Sequence, residues 1–282
     1  MLNVRVSAPV LVVVLAAALV ACVSTTRQGV TGISRSQLML VSSAQADSAA
    51  LQSYRGEVDK ARQASTLNTD TANLERIRRI ADRLIPQVAV FRPDAVNWQW
   101  EVNLQTKDEL NAYCASGGKI MFFTGIITRL KLTDDEIAAI MGHEMAHALR
   151  EHGRERMSQS VAQEVGMNVI AAATGMSSGG AQMMQTAAQL ALTLPHSRGQ
   201  ESEADIIGLE LLARAGYNPN AAVALWQKMA QAGAGGGPTF LSTHPSGPQR
   251  IQSLQVSIPK VMPLYEQARR SPAAARQVVP RS

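Results

Sequence analysis

Aromatic residues make up only 4% of this 282-residue chain, and cysteine and histidine are scarce, at two and five. A core with so few rings must be filled by Ala, Met and the aliphatics, which favours a helix-rich protein packed with small, adaptable side chains. Strong charge of one sign is also missing. The net charge of +5 is spread along the chain, and no Lys/Arg block is interleaved with aromatics, so there is no case for a nucleic-acid partner. The apolar run Val10 to Val20 is too short for a comfortable membrane span.

What that run fits instead is a targeting segment. Arg5 and the amino terminus precede it, and it ends in Leu19-Val20-Ala21-Cys22, a small residue before a cysteine. This resembles a bacterial lipobox, which makes residues 1–22 a lipoprotein signal peptide and Cys22 the lipidated first residue of the mature chain. Val23 in place of aspartate points, by analogy with enterobacterial sorting, to the periplasmic face of the outer membrane. Cys114 then has no disulfide partner and is expected as a small strand residue.

Residues 23–33 are rich in Thr, Gly and Ser and are expected as a flexible tether, the start of an N-terminal tether-and-helix region over 23–69. Helical patterning covers Ser34 to Ala64, then Thr71 to Ile85, where Pro86 limits the end. Trp98, Trp100, Val102 and Leu104 alternate with polar residues as in a half-buried strand. Ala112 to Ala115 and Lys119 to Phe123 flank Ser116-Gly117-Gly118 as a hairpin. The fold class expected is mainly α with a small antiparallel β-sheet, an edge of which could take up an extended peptide by strand addition.

Thr133 to His152 is expected as a helix, opened by a capping box of Thr133 and Glu136 and running on to about Val165. It holds His143-Glu144-Met145-Ala146-His147, the H-E-x-x-H pattern. Histidines at i and i+4 lie on one helix face about 6 Å apart, so both can reach one metal ion. Glu144 is rotated about 100° from His143, placed to act as general base on a water rather than as a ligand. A solvated helix face is the plainer alternative, but Ile137 to Leu149 is an apolar segment where unpaired polar groups are costly.

A catalytic zinc needs a third protein ligand. Arg150 and Gly153 stand where a metzincin needs Gly and His, which excludes that pattern. Glu164 would lie about 25 Å along a continuous helix from His147, too far to return. Glu201 and Asp205 share a helix face one turn apart, fit for a ligand and for a group orienting a ligand histidine. Spacing alone leaves this and a solvated carboxylate pair equally open.

HEMAH followed by Ser197-Arg198 and by Glu201-Ser202-Glu203-Ala204-Asp205 resembles metallopeptidase family forty-eight, the HtpX-like and CAAX-prenyl-protease-like zinc endopeptidases, and most of all its periplasmic lipoprotein branch. The resemblance implies a zincin-like (gluzincin) metalloprotease domain, set at 70–258, and one zinc ion per chain. His143, His147 and Glu201 would be its ligands, with Glu144 catalytic and Asp205 orienting a ligand. Thr243-His244-Pro245 resembles a late His-Pro element of the family, which makes His244 a candidate gating fourth ligand. Residues 111–120 resemble the active-site hairpin, with Tyr113-Cys114-Ala115-Ser116 replacing its usual apolar residues. His152 and His196 are read as structural or solvated, and Arg250 as ion-paired. Gly166 to Ala191 reads as a helical hairpin with a flexible tip at Gly175 to Gly180, and 259–282 as a mobile tail. The expected substrates are unfolded or misfolded envelope proteins, and the membrane is reached through the lipid on Cys22. The rival expectation is a chaperone-like outer-membrane assembly lipoprotein with a latent or structural zinc.

Overall fold

The computed structural model describes residues 22–174, 196–233, 239–245 and 247–270. The signal-peptide segment, the Gly175 to Gly180 tip and the tail beyond residue 270 lie outside the described residues, as does the side chain of Cys22.

The chain is mostly helical. A two-stranded ladder, β1 (Cys22–Val23) with β2 (Gln37–Leu38), precedes helices α1 (Ser43–Gln63) and α2 (Thr71–Leu84). Pro86 converts the end of α2 into a 3-10 turn over Ile85–Val90. Strands β3 (Glu101–Gln105), β4 (Ala112–Ala115) and β5 (Lys119–Phe123) follow, then the short α3 (Thr124–Arg129) and α4 (Asp134–Leu149). Beyond these lie α5 (His152–Thr174), α6 (Arg198–Arg214), α7 (Asn220–Gly233), α8 (Thr239–Thr243) and α9 (Pro248–Arg270). Among the described residues no helix is long and apolar enough to cross a membrane.

The sheet is mixed rather than antiparallel, with order β3-β5-β4. Strand β4 pairs antiparallel with β5 as a hairpin, whereas β3 runs parallel to it, Glu101 opposite Lys119 and Gln105 opposite Phe123. Burial explains the order. Every residue of β5 is buried, while β3 and β4 each carry exposed or half-buried positions. A strand apolar on both faces belongs in the centre, so β5 inserts between the two amphipathic strands. Trp98 and Trp100 lie before β3, their rings 5.6 Å apart, and Gly118 gives them room: a Cβ there would meet the Trp100 ring at 2.6 Å.

Helix α4 is the hub. Thr133 and Glu136 form the capping box, and every residue from Glu136 to Leu149 is buried. A helix buried all round needs partners on all sides, and α2, α6, α7 and β4 supply them. It does not run on to Val165. Arg150 caps it, Glu151 takes the left-handed conformation (φ 50°), and the chain turns into α5. The turn is held by the Glu151 N–H donating to the Ala148 carbonyl and by Arg92 and Arg154 on its carboxylate.

Three further expectations change. Residues 23–33 are not a free tether: Thr31 donates to Glu210 and the Arg27 N–H donates to the Phe91 carbonyl. The helix expected from Ser34 starts only at Ser43, because Arg35 is drawn to Glu155 and Glu203 and Gln37–Leu38 pair as a strand. The tail from Pro259 is helical as far as Arg270, despite Pro259 and Pro263 inside α9. Buried Leu254, Ser257 and Val261 dock this helix, so tertiary packing outweighs the proline penalty.

Candidate metal centre

Helices α4 and α6 cross with Gly142 facing Gly208; a Cβ on Gly208 would stand 2.8 Å from the His143 nitrogen. This approach, which no motif in the sequence announces, brings the acidic start of α6 against the histidines of α4. His143 Nε2 and His147 Nε2 stand 3.1 Å apart. Glu201 places Oε2 3.5 Å from the first and Oε1 3.4 Å from the second. His244, which follows α8, places Nδ1 3.3 Å from His143 Nε2 and 3.0 Å from Glu201 Oε1. All four residues are buried, and their ligand atoms lie within 4.8 Å of one another.

These spacings fit a metal. Atoms about 2.0 to 2.1 Å from a tetrahedral zinc stand about 3.3 Å from each other. Three imidazoles and a carboxylate are borderline and hard donors of the kind a divalent transition metal takes. The structure therefore brings His143, His147, Glu201 and His244 to one point. Asp205 stands behind it, Oδ1 3.0 Å from His143 Nδ1. Glu144 lies beside the cluster with buried Oε1 lacking a hydrogen-bond partner, 3.5 Å from His244 Nε2. Glu164, on α5, is not part of the cluster.

Arg250 ties the acids together. Its Nε and Nη2 each donate to Asp205 at 2.7 Å, its Nη1 lies 2.6 Å from Glu201 Oε2, and the same Nη1 donates to the Pro245 carbonyl. Its guanidinium stacks 3.6 Å over the Trp226 ring. The ion pairing expected of it is present; its hold on the loop carrying His244 is additional.

Burial sets the electrostatics. It pushes the Glu144 carboxyl up from the usual carboxylate range. It also pushes Glu201 up, but the imidazoles of His143, His147 and His244 gathered round it outweigh that and hold the carboxylate well below the usual range. Burial, then the neighbouring His196, keeps His147 neutral. Burial disfavours charge on His143 too, yet Asp205 and Glu201 raise it to about 9. A metal held at His143 Nε2 would have to displace the second proton of that imidazolium. Apparent zinc affinity, read by chelator competition, is expected to rise about tenfold per pH unit up to about pH 9 and then level off.

A cleft of about 260 Å³ opens on this centre, lined by Asn111 to Ser116 of the hairpin, by Tyr54 and Glu57 of α1, and by Glu144, His147, Arg156, His196 and His244. The Phe123 N–H donates to the Asn111 carbonyl, so by antiparallel alternation Ala112 and Cys114 turn their backbone groups to the outer edge of β4. Cys114 is buried in that strand, and burial pushes its thiol up. Sequence reasoning had no signal for α1 as a cleft wall, since its residues lie some ninety positions from the motif.

A mainly helical domain with a small sheet, built round an H-E-x-x-H helix whose histidines meet a carboxylate, defines the class of zincin-like metallopeptidases. Within that class, the chain belongs to Peptidase family M48, whose model matches residues 71–258. It is 37% identical over 155 residues to the mitochondrial metalloendopeptidase OMA1 of Arabidopsis thaliana, covering 55% of this chain and 31% of that protein. With the mitochondrial metalloendopeptidase OMA1 of Schizosaccharomyces pombe it shares 36% identity over 164 residues, 57% of this chain and 48% of the relative. With the metalloprotease LoiP of Escherichia coli it shares 26% over 149 residues, 52% of this chain and 58% of the relative. The matched stretch thus spans about half or less of these OMA1 proteins.

Proposed function

We propose that this chain is a zinc-dependent endopeptidase of the bacterial cell envelope that hydrolyses peptide bonds in unfolded or misfolded proteins. The observation that carries the reading is the convergence of His143, His147 and Glu201 beside a buried Glu144, whose Oε1 takes no hydrogen bond, at the end of a strand-edged cleft. His143, His147 and Glu201 would hold one zinc ion, which when bound acidifies water and polarises a carbonyl. Asp205 orients His143, and Arg250 holds Asp205 and Glu201 in place. Glu144 takes the proton of the attacking water and passes it to the departing amine. With the Ala112 N–H taken by Asn111 Oδ1, the outer edge of β4 offers the Ala112 carbonyl and the Cys114 backbone groups to an extended segment, which selects unfolded chains over compact ones. Support for the envelope comes from the lipobox-like stretch ending at Cys22, which would anchor the mature chain to the outer membrane.

A second reading draws on His244. With its Nδ1 at ligand spacing the set is closed by four protein groups, the arrangement of a structural or latent site. A chaperone-like assembly lipoprotein would use it in that form. On the endopeptidase reading His244 is a gate, and its departure opens a position for water. The test is casein cleavage by zinc-loaded wild type and His244→Ala. A site closed about 90% of the time gains about tenfold in rate on removal of the gate, with zinc content unchanged. Absence of cleavage in both zinc-loaded forms would favour the chaperone-like reading.

A further inference from the structure

A buried polar cluster outside the ligand set lies on the far side of His147. The turn at Glu151 brings His152 beneath α4, where it is fully buried. Its Nδ1 stands 2.8 Å from His147 Nδ1, and its Nε2 stands 3.0 Å from Glu203 Oε2. Glu203 is held in turn by Arg150 at 3.0 Å and by Arg35 at 3.2 Å.

These contacts leave one consistent placement of protons. A neutral imidazole has one N–H and one lone pair, and an ionised carboxylate only accepts. Glu203 therefore takes the hydrogen of His152 Nε2, and the lone pair of His152 is at Nδ1, facing His147. His147 must then donate from Nδ1, which leaves its lone pair at Nε2, the nitrogen turned towards His143 and Glu201. The tautomer that a metal requires is thus chosen from behind by two residues that touch neither metal nor substrate. His143 has its counterpart in Asp205.

We propose that His152, itself oriented by Glu203, is the positioning residue of His147, fixing both its tautomer and its ring orientation for metal binding. This rests on the reading of His147 as a ligand. The same atoms have a competing use, a second cation held by His147, His152 and His196. That use would strip the Nδ1 proton from His147 and so excludes the first.

The experiment uses the full-length chain in detergent, with zinc affinity by chelator competition, metal stoichiometry, and the visible absorption of the Co²⁺-loaded protein. His147→Ala is expected to lose zinc binding, which checks the underlying reading. His152→Ala is expected to weaken zinc about 10- to 100-fold and to shift the Co²⁺ bands. His152→Gln, whose amide can accept from His147 and donate to Glu203, should recover most of both. If His152→Ala does not fold, His152→Met, which keeps the volume without the nitrogens, is read in its place. Zinc affinity within twofold of wild type in His152→Ala or His152→Met, while His147→Ala loses it, would overturn the proposal and leave the ligand reading standing. Unchanged affinity in His147→Ala would overturn both. Two zinc ions per wild-type chain, falling to one in His152→Ala, would establish the second-cation use instead.

Discussion

Glu144→Gln is expected to slow casein cleavage by about 10²- to 10⁴-fold, the usual worth of a general acid–base group, while zinc content stays at the wild-type level. The amide keeps the shape and the acceptor oxygen of the carboxylate but cannot take a proton. Because Glu144 is not needed to complete the ligand set, metal binding should survive. The variant should also be no less stable than wild type at pH 7. Burial raises the Glu144 pKa in the folded state, so its ionisation opposes folding as pH rises above the unfolded value. Replacing it by a neutral group removes that cost. Steady-state cleavage, elemental analysis and thermal melts on one preparation check all three. Wild-type cleavage by zinc-loaded Glu144→Gln would rule out Glu144 as the base.

Arg250→Met is expected to be the most destabilising single change at the site. It leaves Glu201 and Asp205 buried without their shared cation, a loss on the order of 3–5 kcal/mol, or a fall in Tm of about 10 °C. The effect should depend on pH. Burial pushes Asp205 up, but Arg250 outweighs it and holds its pKa below the usual value. A depressed carboxylate pKa contributes stability above the unfolded pKa and loses it as pH falls through the folded one. The gap between wild type and variant should therefore narrow as the medium is acidified below about pH 4. Zinc should narrow it too, by taking over the neutralisation of Glu201. Arg250→Lys should rescue only part, because an ammonium cannot donate in parallel to Asp205 while meeting Glu201 and the Pro245 carbonyl. Differential scanning calorimetry of the metal-free forms at pH 3 and 7, and of the zinc-loaded forms at pH 7, measures each contrast. A melting temperature of the metal-free variant within about 2 °C of wild type at pH 7 would contradict this account.

Much of the architecture was legible because local rules acted alone. The capping box at Thr133, the hairpin at Gly117-Gly118, and the end of α2 before Pro86 each depend on residues within a few positions of one another. So does the pairing of His143 with His147, since one helical turn sets their separation. Misjudged stretches were those where distant contacts decide. The break of α4 needs a non-glycine residue, Glu151, in the left-handed region, held there by Arg92 from far upstream. Residues 23–33 look like a linker until the partners of Arg27 and Thr31 are known. The prolines of α9 predict a mobile tail, but packing of Leu254 and Val261 overrides propensity.

By itself, then, the sequence determined the elements whose forces are short-ranged: a helix bearing two histidines on one face with a glutamate between them in sequence, a hairpin beside it, and a second helix with carboxylates one turn apart. Only the tertiary structure decided which of these meet. The Gly142–Gly208 crossing sets Glu201 opposite His143 and His147, Arg250 neutralises the acids gathered there, and the turn at Glu151 slides His152 behind His147. The physical reason is that donor atoms about 3 Å apart answer to helix crossing and the burial of charge, quantities summed over the whole core and over residues more than a hundred positions apart.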